Sequence, residues 1–208
     1  MRWRAPAVAA TAAAVLALLG GSLTACGGGG GGGVAAPGRS TVAVDSPQLR
    51  EIKAGTDVPG CRPGEGGGPL PDLTLPCLGG GRSVDLSSLT GPLVINLWAS
   101  NCGPCREEMP AIEAFHRTYG ARVPVLGIDY QDLQPAAALE LARRSGVSYP
   151  LVADPGGEVN AKAPFPVIRG IPYFVFVTPG GDVTAVPGGI DSAADLVALV
   201  RRHLGVAL

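Results

Sequence analysis

WASNCGPCREEMP, residues 98–110, sets Cys102 and Cys105 three positions apart around Gly103-Pro104, directly after an apolar run and at the head of a segment with helical spacing. Such a pair suits a redox couple, half of a metal site, or two cysteines near each other by chance. The choice turns on which elements flank the pair and on what the other cysteines do.

The run before the motif, Pro92 to Trp98 (PLVINLW), has strand length and no polar alternation, the pattern of a strand buried on both faces. After it, Met109, Ile112 and Phe115 recur at helical spacing and Gly120 stops the pattern, which predicts a helix from about Pro104 to Tyr119. Upstream, Leu70–Leu75 and a stretch ending Ser83–Leu86 flank Gly79-Gly80-Gly81 and read as a short hairpin. Downstream come a strand at Val123–Tyr130, a helix at Pro135–Ser145 and an extended piece at Tyr149–Ala153. Tyr173–Val177 (YFVFV) is a strand turned by Pro179-Gly180-Gly181-Asp182 into Val183–Val186, and the last helix spans about Ser192–Leu204. This order predicts an α/β domain with a mixed central sheet, helices on both faces and an N-terminal β-hairpin.

The chain begins with a basic segment, Met1-Arg2-Trp3-Arg4, then an apolar stretch from Ala5 to Leu19 closed by Gly20-Gly21, the order of an export signal. The stretch is shorter than the roughly 20 apolar residues a spanning helix needs. Leu23-Thr24-Ala25-Cys26 resembles the lipobox of bacterial lipoproteins, which implies a signal peptide over 1–25 and lipidation of Cys26; a secreted protein cut nearby is the alternative. Several acyl chains on Cys26 would anchor stably, where one binds only marginally. Seven glycines, Gly27 to Gly33, and a stretch rich in Ala, Pro, Gly and Ser follow, so residues 26–60 read as a flexible tether with a reach of about 30 Å. The remaining 61–208 is the size of one domain. With a net charge of −1 and no basic cluster, the chain shows no nucleic-acid footprint.

If Cys26 is lipidated, four of the five cysteines remain. Cys61 and Cys77 bracket a Gly- and Pro-rich segment, and a bridge closing it would contribute about 3 kcal/mol, so they read as a structural disulfide. Zinc shared with Cys102 and Cys105 is the competing use, but Cys61 and Cys77 are too far apart to form a close-spaced ligand pair. The two histidines, His116 and His203, fall on predicted helices without ligand-like neighbours, and no metal or organic cofactor is expected.

WASNCGPC, the REEMP that follows and Gly170-Ile171-Pro172 before a strand resemble the thioredoxin superfamily, specifically its exported, membrane-tethered TlpA, ResA and DsbE type, over roughly Leu70 to Leu204. The resemblance implies a thioredoxin-like fold and thiol:disulfide exchange. The chemistry agrees with the position of the motif. A thiolate attacks a disulfide, and Cys102 falls where unpaired helix N–H groups favour negative charge. Lowering a thiol pKa by two units requires about 2.7 kcal/mol of differential stabilisation. Cys105, one helical turn on, faces the same way and can resolve a mixed disulfide. Pro104 lies in the first turn, where its missing N–H costs nothing.

In thioredoxin an aspartate six residues before the first cysteine moves the proton for the second; here that position is Asn96. In the tethered subgroup a glutamate six after the first cysteine affects thiol reactivity, which implies a proton-handling role for Glu108; the simpler reading is that Glu107 and Glu108 favour the first helical turn. Pro172 resembles the cis-proline facing the cysteines, which would offer the Ile171 backbone to an extended client segment. The substrate-contacting positions implied are Trp98, Asn101, Gly103, Pro104 and Ile171. Asn101 replaces a common tryptophan and Tyr173 a common threonine, so client preference does not carry over.

The function expected is a lipid-anchored, monomeric thiol:disulfide oxidoreductase on the outer face of the cytoplasmic membrane, acting on exported protein thiols and disulfides and served by a membrane redox partner. ResA-like relatives act as reductants that keep apocytochrome c thiols available for haem attachment; DsbE-like proteins of some actinobacteria act as oxidants. Two other classes on this fold fit less well. A copper chaperone resembles Cys-x-x-x-Cys with a distant His, and a peroxidase uses Pro-x-x-x-Thr-x-x-Cys, which this chain lacks.

Overall fold

The computed structural model describes residues 42–208. The segment read as a signal peptide, Cys26 and the glycine run lie outside the described residues.

Five strands form one mixed sheet: β3 (Leu93–Trp98), β4 (Val125–Tyr130), β5 (Leu151–Asp154), β6 (Tyr173–Val177) and β7 (Val183–Pro187), in the order β5-β4-β3-β6-β7. The β3–β4 and β4–β5 pairs are parallel, β3–β6 and β6–β7 antiparallel. A separate antiparallel pair, β1 (Thr74–Leu75) with β2 (Val84–Asp85), is the expected hairpin. The uninterrupted apolar strands have the predicted cause, since every residue of β3, β4 and β6 is buried.

Alternation divides the core. Val94, Trp98, Phe174 and Phe176 point to one face, where they meet α1 (Pro47–Ala54), α2 (Gly103–Tyr119), α3 (Pro135–Arg144) and α4 (Ala193–Leu204) through Leu49, Phe115, Leu139 and Leu196. Ile95, Leu97, Ile128 and Val175 point to the other, which is covered by the hairpin and by Val159, Phe165 and Ile168. Helices on both faces were expected; instead, among the described residues, all four α-helices bury side chains on one face, and the second carries only the 3-10 turn Leu86–Ser88 among helical elements. The strand order supplies the reason. From β3 to β4 to β5 the chain steps in one direction, and right-handed crossovers then place α2 and α3 on the same side.

The expected tether also ends earlier than residue 60. Ser46 caps α1 by accepting the Leu49 N–H, and Val44, Leu49 and Val58 are buried. The Lys53 ammonium donates to the carbonyls of Leu78 (2.9 Å) and Gly80 (3.0 Å), and the Gly79 N–H donates to the Val44 carbonyl. Three apolar side chains and one lysine suffice to dock so short a segment, and a composition dominated by small residues conceals them.

Cys61 and Cys77 form a buried disulfide, with Cα atoms 5.8 Å apart. It pins the segment after α1 to the edge beside β5, where the Leu78 N–H donates to the Leu151 carbonyl. His203 stacks on Phe176 and His116 meets the Tyr149 ring edge-on, so both histidines pack against aromatic rings. Among the described residues no helix is long and apolar enough to cross a membrane, and no three His, Cys, Asp or Glu side chains gather as a metal site.

Candidate active site

Cys102 is the N-cap of α2, placed there because β3 ends at Trp98 and Pro104 sets the first helical turn. Its sulfur is bonded to Cys105, Cα atoms 5.3 Å apart, and accepts the Cys105 N–H at 3.2 Å. Cys102 is half-buried whereas Cys105 is fully buried, so only the first sulfur is open to a partner. Once the couple is reduced, the same N–H and the helix terminus favour a thiolate on Cys102.

The Ile171–Pro172 bond is cis, and the Ile171 carbonyl oxygen stands 3.8 Å from the Cys102 sulfur. Two clefts meet at Ile171. One of about 250 Å³ is lined by Ala99, Asn101, Gln131 and Arg169. The other, about 460 Å³, is lined by Val167, Arg169, Pro172 and Gly188. Asn101 and Pro104 are exposed and Gly103 and Ile171 half-buried, so these four of the expected contact residues form the rim.

Trp98 does not join them. It is fully buried on the helix-covered face, because β3 alternation turns it inward with Val94 and Asn96. Gly127 on the neighbouring strand makes room for it: a Cβ there would stand 3.0 Å from the indole nitrogen and 2.5 Å from Leu151. The expectation that Trp98 contacts substrate is therefore corrected.

Glu108 lies one turn beyond Cys105 on the same side of α2 and is 1% exposed. Its Oε1 accepts from the Asn96 amide at 2.8 Å and its Oε2 from the Ile190 N–H at 3.3 Å. Burial pushes its carboxyl up to about 7, against the opposing effect of those two hydrogen bonds. A group that titrates there can hold or release a proton near neutrality. The residue at thioredoxin's aspartate position thus remains in the site, but as the amide that orients Glu108. Tyr149 is fully buried nearby, and burial followed by the charges of Glu108 and Glu113 raises its phenol well above the ordinary range.

Two further residues at Glu108 escape sequence reasoning. Gly189 covers the carboxylate so closely that a Cβ would stand 3.0 Å from Oε2 and 3.1 Å from Pro172 Cγ. Ile190 supplies its backbone N–H, which no side-chain pattern can reveal. The Gly188-Gly189 pair was the one available signal, and a glycine pair by itself marks only a turn.

A mixed sheet led by a strand into a cysteine-capped helix, with the cis-proline loop opposite, is a thioredoxin-like fold carrying a dithiol-disulfide centre. The chain belongs to the AhpC/TSA family, whose profile matches residues 67–186. It is similar to the thioredoxin-like protein YneN of Bacillus subtilis, 28% identical over 93 residues that cover 44% of this chain and 54% of that protein. Similarity to the thiol-disulfide oxidoreductase ResA of Halalkalibacterium halodurans is 28% over 112 residues, 52% of this chain and 61% of ResA. The chain spans about half the length of the curated relatives it matches. Among solved structures, MTB DsbF, in mixed oxidized and reduced forms, superposes with a TM-score of 0.56 at 27% identity, covering 64% of this chain and 98% of that one.

Proposed function

We propose that this protein is a thiol:disulfide oxidoreductase that exchanges disulfides with exported proteins through Cys102 and Cys105. The observation that carries the reading is the asymmetry of the pair: an accessible N-cap sulfur receiving a backbone N–H, and a sealed partner one turn on. In the reducing direction, the Cys102 thiolate attacks a client disulfide, forming a mixed disulfide and releasing one client thiolate. Cys105 then gives its proton to Glu108 and attacks the Cys102 sulfur, releasing the second client thiolate and closing the Cys102–Cys105 bond. Two electrons pass to the client. The client lies extended along Ile171, whose backbone pairs with it as a strand would.

The direction proposed is reduction, with apocytochrome c thiols among the clients and a membrane redox partner supplying electrons. It is supported by the resemblance of Gly103-Pro104 to the dipeptide of reducing thioredoxin and by the relatives named ResA. Lipidation at Cys26, after removal of residues 1–25, would hold the monomeric domain at the outer face of the cytoplasmic membrane, as the Leu23–Cys26 pattern suggests.

The family name raises peroxide reduction as a second reading. The positions seven and three before Cys102 are Ile95 and Ala99, where a peroxidase of this fold has Pro and Thr, which argues against it. The test is the reduction potential of the Cys102–Cys105 couple together with a Cys105→Ser variant incubated with a disulfide-bonded protein. A potential near thioredoxin's, about −270 mV, and a stable mixed disulfide through Cys102 support the reductant; a value toward about −120 mV supports the oxidant. Absence of any trapped mixed disulfide overturns the exchange mechanism.

A further inference from the structure

We propose that Asp132 is a positioning residue for the Cys102 nucleophile, holding the turn between β3 and α2 from beneath, with Asp129 as its partner. The inference rests on reading Cys102 as the attacking sulfur.

Between Trp98 and the Cys102 N-cap the chain has three residues in which to turn from strand to helix. The turn is closed from within by the Cys102 N–H donating to the Ala99 carbonyl at 3.1 Å. From outside it is held by Asp132, whose Oδ2 accepts the Ser100 N–H at 2.6 Å. The other oxygen, Oδ1, accepts the Gln134 N–H at 2.8 Å, where α3 begins without a side-chain cap of its own. One carboxylate thus ties the turn before the nucleophile to the start of a second helix. Both hydrogen bonds come from backbone N–H groups, so the position needs two acceptors aimed in two directions. A carboxylate offers that; an amide offers one oxygen and one N–H₂ group.

A buried carboxylate needs partners, and Asp132 is 2% exposed. Beside the two N–H donors it has Asp129, 1% exposed, at the end of β4 and opposite Trp98 in the sheet register. Burial first, then the Asp132 charge and the hydrogen bond between the two carboxyls, hold Asp129 well above the usual carboxylate range. Of the two carboxyls Asp129 is the one that holds a proton more readily, and in its protonated form it would donate to Asp132, leaving the pair one charge where two would repel. Its Oδ1 has no hydrogen-bond partner among the described residues.

The consequence for Cys102 is geometric. Its sulfur receives the Cys105 N–H only while the N-cap keeps its place, and the N-cap is two residues from Ser100. Releasing Ser100 lets the turn drift and weakens the stabilisation of the thiolate. The opposite sign holds if Asp132 acts merely as a nearby negative charge, since neutralising it would make the thiol more acidic.

That difference in sign is the test. In the full chain, Asp132→Asn and Asp132→Ala are compared with Asp129→Asn, whose amide can still donate to Asp132, and Asp129→Leu, which cannot. Thiolate absorbance of the reduced protein gives the Cys102 midpoint, exchange with a small disulfide gives the rate, and thermal unfolding reports the fold. The expected result is a midpoint moved upward and a rate reduced by about tenfold in both Asp132 variants and in Asp129→Leu, with retention within about twofold in Asp129→Asn. A lost melting temperature with an unmoved Cys102 midpoint would reduce Asp132 to a cap for α3, and a downward midpoint would leave only its charge; either overturns the proposal. Should the variants fail to fold, amide hydrogen exchange on the unaltered protein decides: protection at Ser100 matching that at Gln134 is expected, and exchange as fast as at exposed Asn101 refutes the tie.

Discussion

Replacing Glu108 by Gln removes a titrating group from the interior while keeping its shape, and the structure sets the size of the effect. In the folded protein the carboxyl is raised from an ordinary 4.5 to about 7. The folded state therefore holds this proton more tightly than the unfolded chain. Below about pH 4.5 both states carry it and the group is neutral towards folding. Between there and 7 only the unfolded chain ionises, so stability falls with rising pH. Above 7 the buried side chain must ionise as well, and the full difference, about 2.5 pK units or roughly 3 kcal/mol, has been lost. Gln cannot titrate and still accepts the Asn96 amide hydrogen bond, although its own amide then faces the Ile190 N–H at a cost of about 1 kcal/mol. Denaturant unfolding of the oxidised protein from pH 4 to 9 should show the difference between wild type and Glu108→Gln growing by roughly 3 kcal/mol across that window, in favour of the variant at high pH. Subtracting the variant's curve removes the contribution of Asp129, which both proteins share. The same carboxyl should set the kinetics, since resolution of a Cys102 mixed disulfide accelerates with a midpoint near 7 in wild type and loses that rise in the variant. A stability difference independent of pH, together with an unchanged resolution profile, refutes both the placement of the proton and its use.

Two other outcomes follow from the geometry. Converting both Cys61 and Cys77 to Ser opens a loop of sequence separation 16 and should lower unfolding free energy by about 3 kcal/mol, read by denaturant unfolding, while the potential of the Cys102–Cys105 couple holds. Gly189→Ala places a methyl 3.0 Å from Glu108 Oε2 and deepens its burial; the Glu108 midpoint should rise above its wild-type value and mixed-disulfide resolution should slow, both measured as for Glu108→Gln.

Much of this architecture was written in local pattern. Apolar runs such as PLVINLW and YFVFV mark strands with two covered faces, and the strand-motif-helix order around Cys102 needs no knowledge of distant residues. The pairing of Cys61 with Cys77 was legible for the same reason: few cysteines, and a segment whose unfolded entropy rewards closure. The docking of the segment around α1 was not, because its composition resembles a linker, and Val44, Leu49 and Val58 matter only once α3 and the Cys77–Gly80 turn stand beside them.

By itself, then, the sequence determined the strand and helix periods, the fold class they imply, and a cysteine pair at a helix start, since each depends on residues within a turn or two of one another. Only the tertiary structure decided which polar atoms meet. Asn96 on a strand, Glu108 on a helix and Ile190 on a loop converge over a sequence separation of 94 to hold one proton, and Trp98 turns away from the surface it was expected to line. Burial and hydrogen bonding act between atoms close in space, and chain order does not record which segments the sheet register will bring together.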